Sequence, residues 1–356
     1  EAFCFEHRID CEWRRHGSLY TASSTAQLGA SDAVMAALQA QGLSSWQRLI
    51  RDEVQRRAGS AAHLEGWYSP LAATLQPGKL VRGLRRVARE CGVRIYENTP
   101  MTAIELGTTP VLRTPGGSVS AERVVIAVNA WMASIFSEFS RSIGIVSSDM
   151  VITEPAPAAL AQTGLDGGIS VMDSRIFVHY YRSTTDGRMM LGKGGNTFAF
   201  GARMAAAFDA PSDYREDLTA RLRHFMPALA TTPVVASWTG ASDRSVTGLP
   251  FFGRLRQHPA VFYGFGYSGN GVGPSRMGGE LLAALALGLD NDWTRSPLVR
   301  GPRGHFPPEP LRYLGSMLVR NAVRRKEAAE DRATAPFWLD LQLSKLAAAA
   351  GKADKQ

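Results

Sequence analysis

The chain has 356 residues, of which 45% are hydrophobic and 20% charged. That is an ordinary balance for a globular protein, with length enough for a large core and two lobes. No apolar run approaches the ~20 residues needed to cross a bilayer, and the first residues show no signal-like pattern of basic and then apolar segments. The net charge of +8 raises nucleic acid as a partner, but the arginines are spread along the chain without a nucleic-acid-reading motif, which argues against one. Cys4, Cys11 and Cys91 form no metal pattern, and their odd number fits a reducing, cytoplasmic setting.

In chain order, residues 1–16 read as the end of a helix already under way, followed by a strand at Ser18–Thr21. Residues 31–58 have a helical pattern carried by Val34, Leu38, Trp46, Leu49, Ile50 and Val54. Gly66–Pro70 is extended. Pro77 opens a helix to Glu90, Cys91–Gly92 ends it, and Val93–Glu97 reads as a strand, which together would be half of a βαβ unit. Residues 102–123 alternate apolar residues with Gly/Pro turns, as a small antiparallel meander would. The apolar run Val124–Val128 before Asn129, Ala130 and Trp131 predicts a strand buried on both faces, with a crevice at its carboxyl end.

From about residue 145 short strands at 147–153, 176–182 and 188–191 surround a helix at 214–225, which predicts a second, largely antiparallel lobe. After residue 290 a proline-rich connector leads to helices and a polar tail expected to fray. Arg320, Arg324, Arg325 and Lys326 read as a solvated helix face with Leu314, Leu318 and Val319 turned inward. Weak contact with an anionic membrane surface is the alternative use of that face.

The most informative stretch is residues 261–280. A short aromatic strand leads into Gly266-Tyr267-Ser268-Gly269-Asn270-Gly271-Val272 and then into an amphipathic helix. Glycines let backbone amides approach a bound group closely, and the helix behind them presents its positive end. A flat ring that becomes anionic on reduction would suit that place, and so would a tight strand-to-helix connection with no ligand.

Four segments occur together and in order: Gln76-Pro77-Gly78-Lys79-Leu80 heading a helix, the strand at 124–131, Thr247-Gly248-Leu249-Pro250 before a strand, and the glycine turn at 266–272. In this the chain resembles the FAD-dependent oxidoreductases of the D-amino-acid oxidase superfamily, in the branch of glycine/sarcosine oxidases and γ-glutamylputrescine oxidases, over roughly residues 1–290. The resemblance implies a mixed α/β (α+β) fold, in which a Rossmann-like FAD-binding domain joins an antiparallel-sheet substrate domain. It divides the chain into a bridging segment at 1–66, FAD-domain parts at 67–144 and 237–290, the substrate domain at 145–236 and an extension at 291–356. Family members begin with a strand, G-x-G-x-x-G and helix that hold the FAD pyrophosphate. No such element occurs here, since Gly192-Lys193-Gly194-Gly195 has the wrong spacing. With Glu1 in first place, the expectation is an incomplete FAD domain in an N-terminally truncated chain that holds FAD poorly by itself.

The implied activity is oxidation of a C–N bond in an amine or amino acid, with hydride transfer to flavin N5 and hydrolysis of the resulting imine. Oxygen or another acceptor would then take the electrons. The alternatives are a dehydrogenase passing electrons to a quinone or carrier, and a non-catalytic remnant that binds a ligand or partner. By the same resemblance Asn129, Ala130, Trp131, Gly248, Gly266, Tyr267, Ser268, Gly269, Asn270, Gly271 and Val272 would line the FAD site. Residues 237–253 lack cysteine, so FAD would be held non-covalently. Tyr180 and Arg182, on one side of a strand, would hold the substrate, unless they belong to an exposed edge strand. Lys193 is either a cation at the flavin edge or solvated. Asp243 and Arg244 are expected to pair with each other or cap a turn, with a flavin contact for Arg244 as the further option. His63 and His224 are read as ordinary core or surface histidines.

Overall fold

The computed structural model describes residues 1–165 and 167–347. Its largest sheet has eight strands in the order Val234–Ser245, Ile143–Thr153, Met189–Phe198, His179–Ser183, Ser170–Asp173, Ser18–Ala22, Glu65–Ser69 and Gln47–Leu49. Neighbours are antiparallel except Ser170–Asp173 beside Ser18–Ala22. Along Ile143–Thr153 every second residue is buried, as a sheet with one covered face requires. On the covered side Val151, Val171, Tyr181 and Leu191 pack against Leu218, Leu222 and Phe225 of the helix Arg215–Phe225. The opposite face stays half-exposed.

A second sheet of three strands holds Phe251–Leu255, His258–Phe265 and Val124–Ile126, the last two parallel. Val124, Ile126, Tyr263 and Phe265 fill one side with Phe139. On the other side Phe252 and Phe262 receive Leu281, Leu282 and Leu285 of the helix Pro274–Leu287. The expected meander is the third sheet, Ala103–Glu105, Val111–Thr114 and Gly117–Ser120.

Several expectations are corrected. Residues 31–58 break into the helix Asp32–Ala40, the edge strand Gln47–Leu49 and the helix Arg51–Ala58, because Gly42 turns the chain at φ +67° and the next residues join the sheet beside Glu65–Ser69. Val93–Glu97 is no strand. No described strand lies alongside to take its backbone hydrogen bonds, and Val93, Ile95 and Tyr96 are exposed. The strand at 124–126 is shorter than expected and buried on one face only, with Val125 45% exposed. Leu314 and Leu318 point outward on the helix Leu311–Asp331, while Arg312 turns inward, donating to the Ser140 and Ile143 carbonyls and pairing with Glu309. The tail beyond residue 347 lies outside the described residues.

His63 is a fully buried core histidine. It stacks on Phe225 at 5.4 Å, and its ring nitrogens lie 2.9 Å from Thr21 Oγ1 and 2.6 Å from the Tyr181 hydroxyl. Burial lowers its pKa from 6.5 to about 4. Above the ordinary value both folded and unfolded chains keep it neutral. As pH falls from about 6.5 towards 4 only the unfolded chain takes up the proton, so stability drops over that window, by roughly 3 kcal/mol from this residue. Urea unfolding at neutral pH and near pH 4 should therefore show a steeper loss in the wild type than in His63→Gln.

Candidate active site

The glycine turn leaves the buried strand His258–Phe265 at Gly266. There φ is +86° and a Cβ would lie 2.7 Å from the Phe251 ring. Ser268 and Gly269 follow at φ +57° and +90°. Asp243, at the end of the long strand from the large sheet, holds the turn in this shape. Its carboxylate accepts the Gly266 N–H and the Ser268 N–H, and its carbonyl accepts the Ser268 N–H at 3.0 Å. The Ser245 N–H donates to Ser268 Oγ at 3.1 Å, and Arg244 donates to the Ser268 carbonyl at 3.0 Å. Asp243 and Arg244 thus grip the turn rather than each other.

Beyond this anchored part the chain opens to solvent. The amides of Gly269, Gly271, Val272 and Gly273 have no acceptor among the described residues, and Pro274 starts the helix without an N–H of its own. Tyr267 folds back over the helix, where Gly278 makes room: a Cβ there would lie 2.1 Å from the tyrosine hydroxyl oxygen. The result is a set of open amides at the positive end of a 14-residue helix.

The corner Asn129–Trp131 follows the parallel strand Val124–Ile126. Asn129 sits at φ +46°. With its amide nitrogen turned toward Asp243, the orientation that satisfies both groups, it donates to that carboxylate at 3.1 Å to Oδ1. Ala130 is buried and Trp131 is 52% exposed. Gly248, at φ +74°, shapes the turn between Ser245 and Phe251, which Ser245 Oγ ties down at the Leu249 carbonyl at 2.8 Å. Burial raises the Asp243 carboxyl to about 6, against the lowering effect of the amides that bind it.

This node touches the half-exposed face of the large sheet. Ser242 Oγ is buried and without a partner among the described residues, 3.3 Å from where a Cβ on Gly269 would stand. From Ser242 the same face extends across the strands. In register lie Trp238, Met150, Gly192, Tyr180, Met172, Tyr20 and Trp67. Gly192 has no side chain for a steric reason, because a Cβ would stand 2.2 Å from Met150 Sδ and 2.4 Å from the Tyr180 ring. The Tyr180 hydroxyl is hydrogen-bonded to Ser148 Oγ. Burial pushes its pKa up to about 12, so it remains a phenol at neutral pH. Arg182 shares this face and donates to the Leu75 carbonyl at 2.9 Å; burial, with Arg14 nearby, lowers its pKa.

Residues 1–285 match the family DAO, FAD dependent oxidoreductase. The chain belongs to this family. It is 31% identical over 247 residues to the probable oxidoreductase OrdL of Rhizobium meliloti, covering 68% of this chain and 54% of that protein. It is 27% identical over 283 residues to γ-glutamylputrescine oxidoreductase of Escherichia coli, covering 79% of this chain and 64% of that protein. The chain therefore spans roughly half to two thirds of the length of these curated relatives. In fold it resembles the crystal structure of glycine oxidase from Geobacillus kaustophilus, with a TM-score of 0.71 and 23% identity over 85% of this chain and 80% of that one.

In this DAO-family chain the third residue singled out for catalysis stands apart. Lys193 pairs in register with His179 and lies on the covered face, opposite Tyr180 and Arg182. It donates to the Phe177 carbonyl at 3.2 Å and to His179 Nε2 at 3.3 Å, and pairs with Glu327 at 3.5 Å. Burial lowers its pKa. His179 Nδ1 donates in turn to Asp173 at 3.0 Å, and Arg175 bridges Asp173 and Asp331. Some of these groups, with Tyr214, Arg221 and Arg324, line a cavity of about 510 Å³ between sheet and helices. Lys193 belongs to this network, which binds the helix Leu311–Asp331 to the sheet, and is neither solvated nor beside the glycine turn.

Asp243 caps a turn, one of the two roles the sequence offered for it, whereas Ser242 and Ser148 were missed by sequence reasoning. The only signal for them is strand alternation: Trp238, Gly240, Ser242 and Arg244 share a face, which leaves Asp243 on the other side, free to reach the turn.

Proposed function

We propose that the protein oxidises a C–N bond of an amine or amino acid with non-covalently held FAD, giving an imine that hydrolyses in water. The observation that carries this reading is the set of open amides at Gly269 and Gly271–Gly273, braced at a helix N-terminus against the half-exposed sheet face. The residues present fit the flavin. Four unpaired donors and the helix dipole suit the pyrimidine end of a ring that gains negative charge, and the orphaned Ser242 hydroxyl supplies one further polar contact. Trp131 and Val272 offer exposed apolar surface at the rims. FAD when bound supplies the acceptor for the hydride.

The protein residues have separate tasks. The glycine-turn amides bind and orient the ring. Tyr180, kept protonated and held by Ser148, orients the substrate through its hydroxyl, while Arg182 offers a guanidinium to a substrate carboxylate. Met150, Met172 and Trp238 exclude water from the face beside them.

The test is anaerobic mixing of the full-length gene product with amines and amino acids. Bleaching of the visible flavin absorbance by an amine, but not by the corresponding alcohol or hydroxy acid, is expected. A flavin that no amine reduces would contradict the proposal. Peroxide release compared with reduction of an artificial acceptor then separates an oxidase from a dehydrogenase.

Tyr180→Phe keeps the packing against Gly192 and Met150 and removes one hydrogen bond. It is expected to lower kcat/KM by roughly 3- to 10-fold, the worth of one such bond, with the thermal midpoint nearly unchanged. Steady-state kinetics and a melting curve on one preparation check both parts.

A further inference from the structure

The two segments assigned to the flavin come from neighbouring parallel strands, and what fixes them relative to each other is a side chain from a third strand. Asp243 is fully buried, and among the described residues no cation pairs with its carboxylate. It instead collects donors from both segments: the Gly266 and Ser268 amides from the turn, and the Asn129 amide from the corner. A buried carboxylate without a cation is costly unless its hydrogen bonds are satisfied, so each donor is held firmly in place.

The consequence reaches the open amides. Gly266 and Ser268 are the turn residues tied to the Asp243 carboxylate, and the chain from Gly269 to Gly273 projects from them, with the Asn270 amide closing the turn on the Tyr267 carbonyl at 3.0 Å. Ser242, next to Asp243 in sequence, aims at Gly269 a hydroxyl that has no partner among the described residues. The strand that carries Asp243 is also the edge strand of the large sheet, paired along its length with the strand of Ser148 and Met150. One carboxylate therefore couples three things: corner, turn and substrate-facing sheet.

We propose that Asp243 is the positioning residue of the flavin seat, clamping the Asn129 corner to the glycine turn and registering both against the sheet that carries Tyr180. This rests on the flavin reading above, and its test separates the two. The variants are Asp243→Leu, Asp243→Asn and Asn129→Gly in the full-length gene product. The readouts are the FAD dissociation constant, the visible circular dichroism of bound flavin and its midpoint potential. Asp243→Leu removes both carboxylate acceptors, leaving only the backbone carbonyl to Ser268, and is expected to weaken FAD binding about 30-fold, as loss of several buried hydrogen bonds implies. Asp243→Asn keeps one acceptor for the turn amides and lets the Asn129 amide turn over to accept from it, so most of the affinity should return. Asn129→Gly tolerates the positive φ and cuts only the bridge to the corner. It should weaken FAD about 5-fold and change the flavin dichroism and potential in a chain that remains folded.

If Asp243→Leu does not fold, Asn129→Gly and Asp243→Asn decide the matter alone. Folded variants whose FAD affinity, dichroism and potential all match the wild type would overturn the positioning role while leaving the flavin reading intact. A wild type that binds no FAD would overturn the flavin reading itself.

Discussion

Gly266→Val is expected to abolish tight FAD binding, with a loss of about 100-fold in affinity. Gly266 sits at φ +86°, where a β-branched residue is strained, and its Cβ would stand 2.7 Å from the Phe251 ring. Strain of this kind costs roughly 1–3 kcal/mol, and the chain relieves it by moving the turn. Movement at Gly266 breaks the hydrogen bond to Asp243 and carries the open amides out of register. A 100-fold change in affinity corresponds to about 2.7 kcal/mol, within the range of that strain plus one buried hydrogen bond. Gly271→Ala is the control for stability. Gly271 lacks a positive φ, and the nearest atom to an added Cβ is 3.7 Å away in Tyr267. Its thermal midpoint should stay close to that of the wild type, whereas that of Gly266→Val should fall. Flavin fluorescence titration and melting curves measure the two effects.

Asp173→Ala is expected to cost about 3–5 kcal/mol of stability, the usual price of leaving a buried charge without its partner. Asp173 is 1% exposed. Its carboxylate accepts from Arg175 Nε, His179 Nδ1 and Ser23 Oγ, each at 3.0 Å, and from the His179 backbone amide at 2.9 Å. These partners hold its pKa well below the ordinary carboxylate range despite burial. Removing it leaves Arg175, 2% exposed, with Asp331 alone, and frees His179 from its acceptor. A typical domain has only about 5–15 kcal/mol in total, so the variant should unfold at much lower urea. Asp173→Asn, which retains an acceptor, should lose less. Equal midpoints for the alanine variant and the wild type would show that the network adds nothing to stability.

Much of the fold could be read from sequence wherever a local signal decides the structure. The Gly/Pro turns between residues 102 and 123 specify a meander whatever lies around it. The glycine turn is legible because Gly266 and Gly269 need backbone angles that few other residues adopt. Features set by distant partners were not legible. Val93–Glu97 has the composition of a strand but no neighbour to pair with among the described residues. The spacing of Leu314 and Leu318 gives a helix face without saying which way it turns, and the buried pair of Arg312 with Glu309 is what turns it.

The candidate site divides along the same line. Alternation along one strand places Tyr180 and Arg182 together, as the structure shows. Lys193 lies on a different strand, and its side depends on the register opposite His179, which no local pattern encodes. Asp243 acts on residues more than twenty positions away, so its part in the turn becomes visible only once the sheets are assembled.

The central claim is that the amides of Gly269 and Gly271–Gly273 face the flavin. Hydrogen exchange of the full-length gene product, with FAD and after its removal, tests this most directly. FAD should slow exchange in the segment 266–273 and leave the helix Leu311–Asp331, on the far side of the large sheet, unchanged. Exchange at 266–273 that is equally fast with and without bound FAD would contradict it.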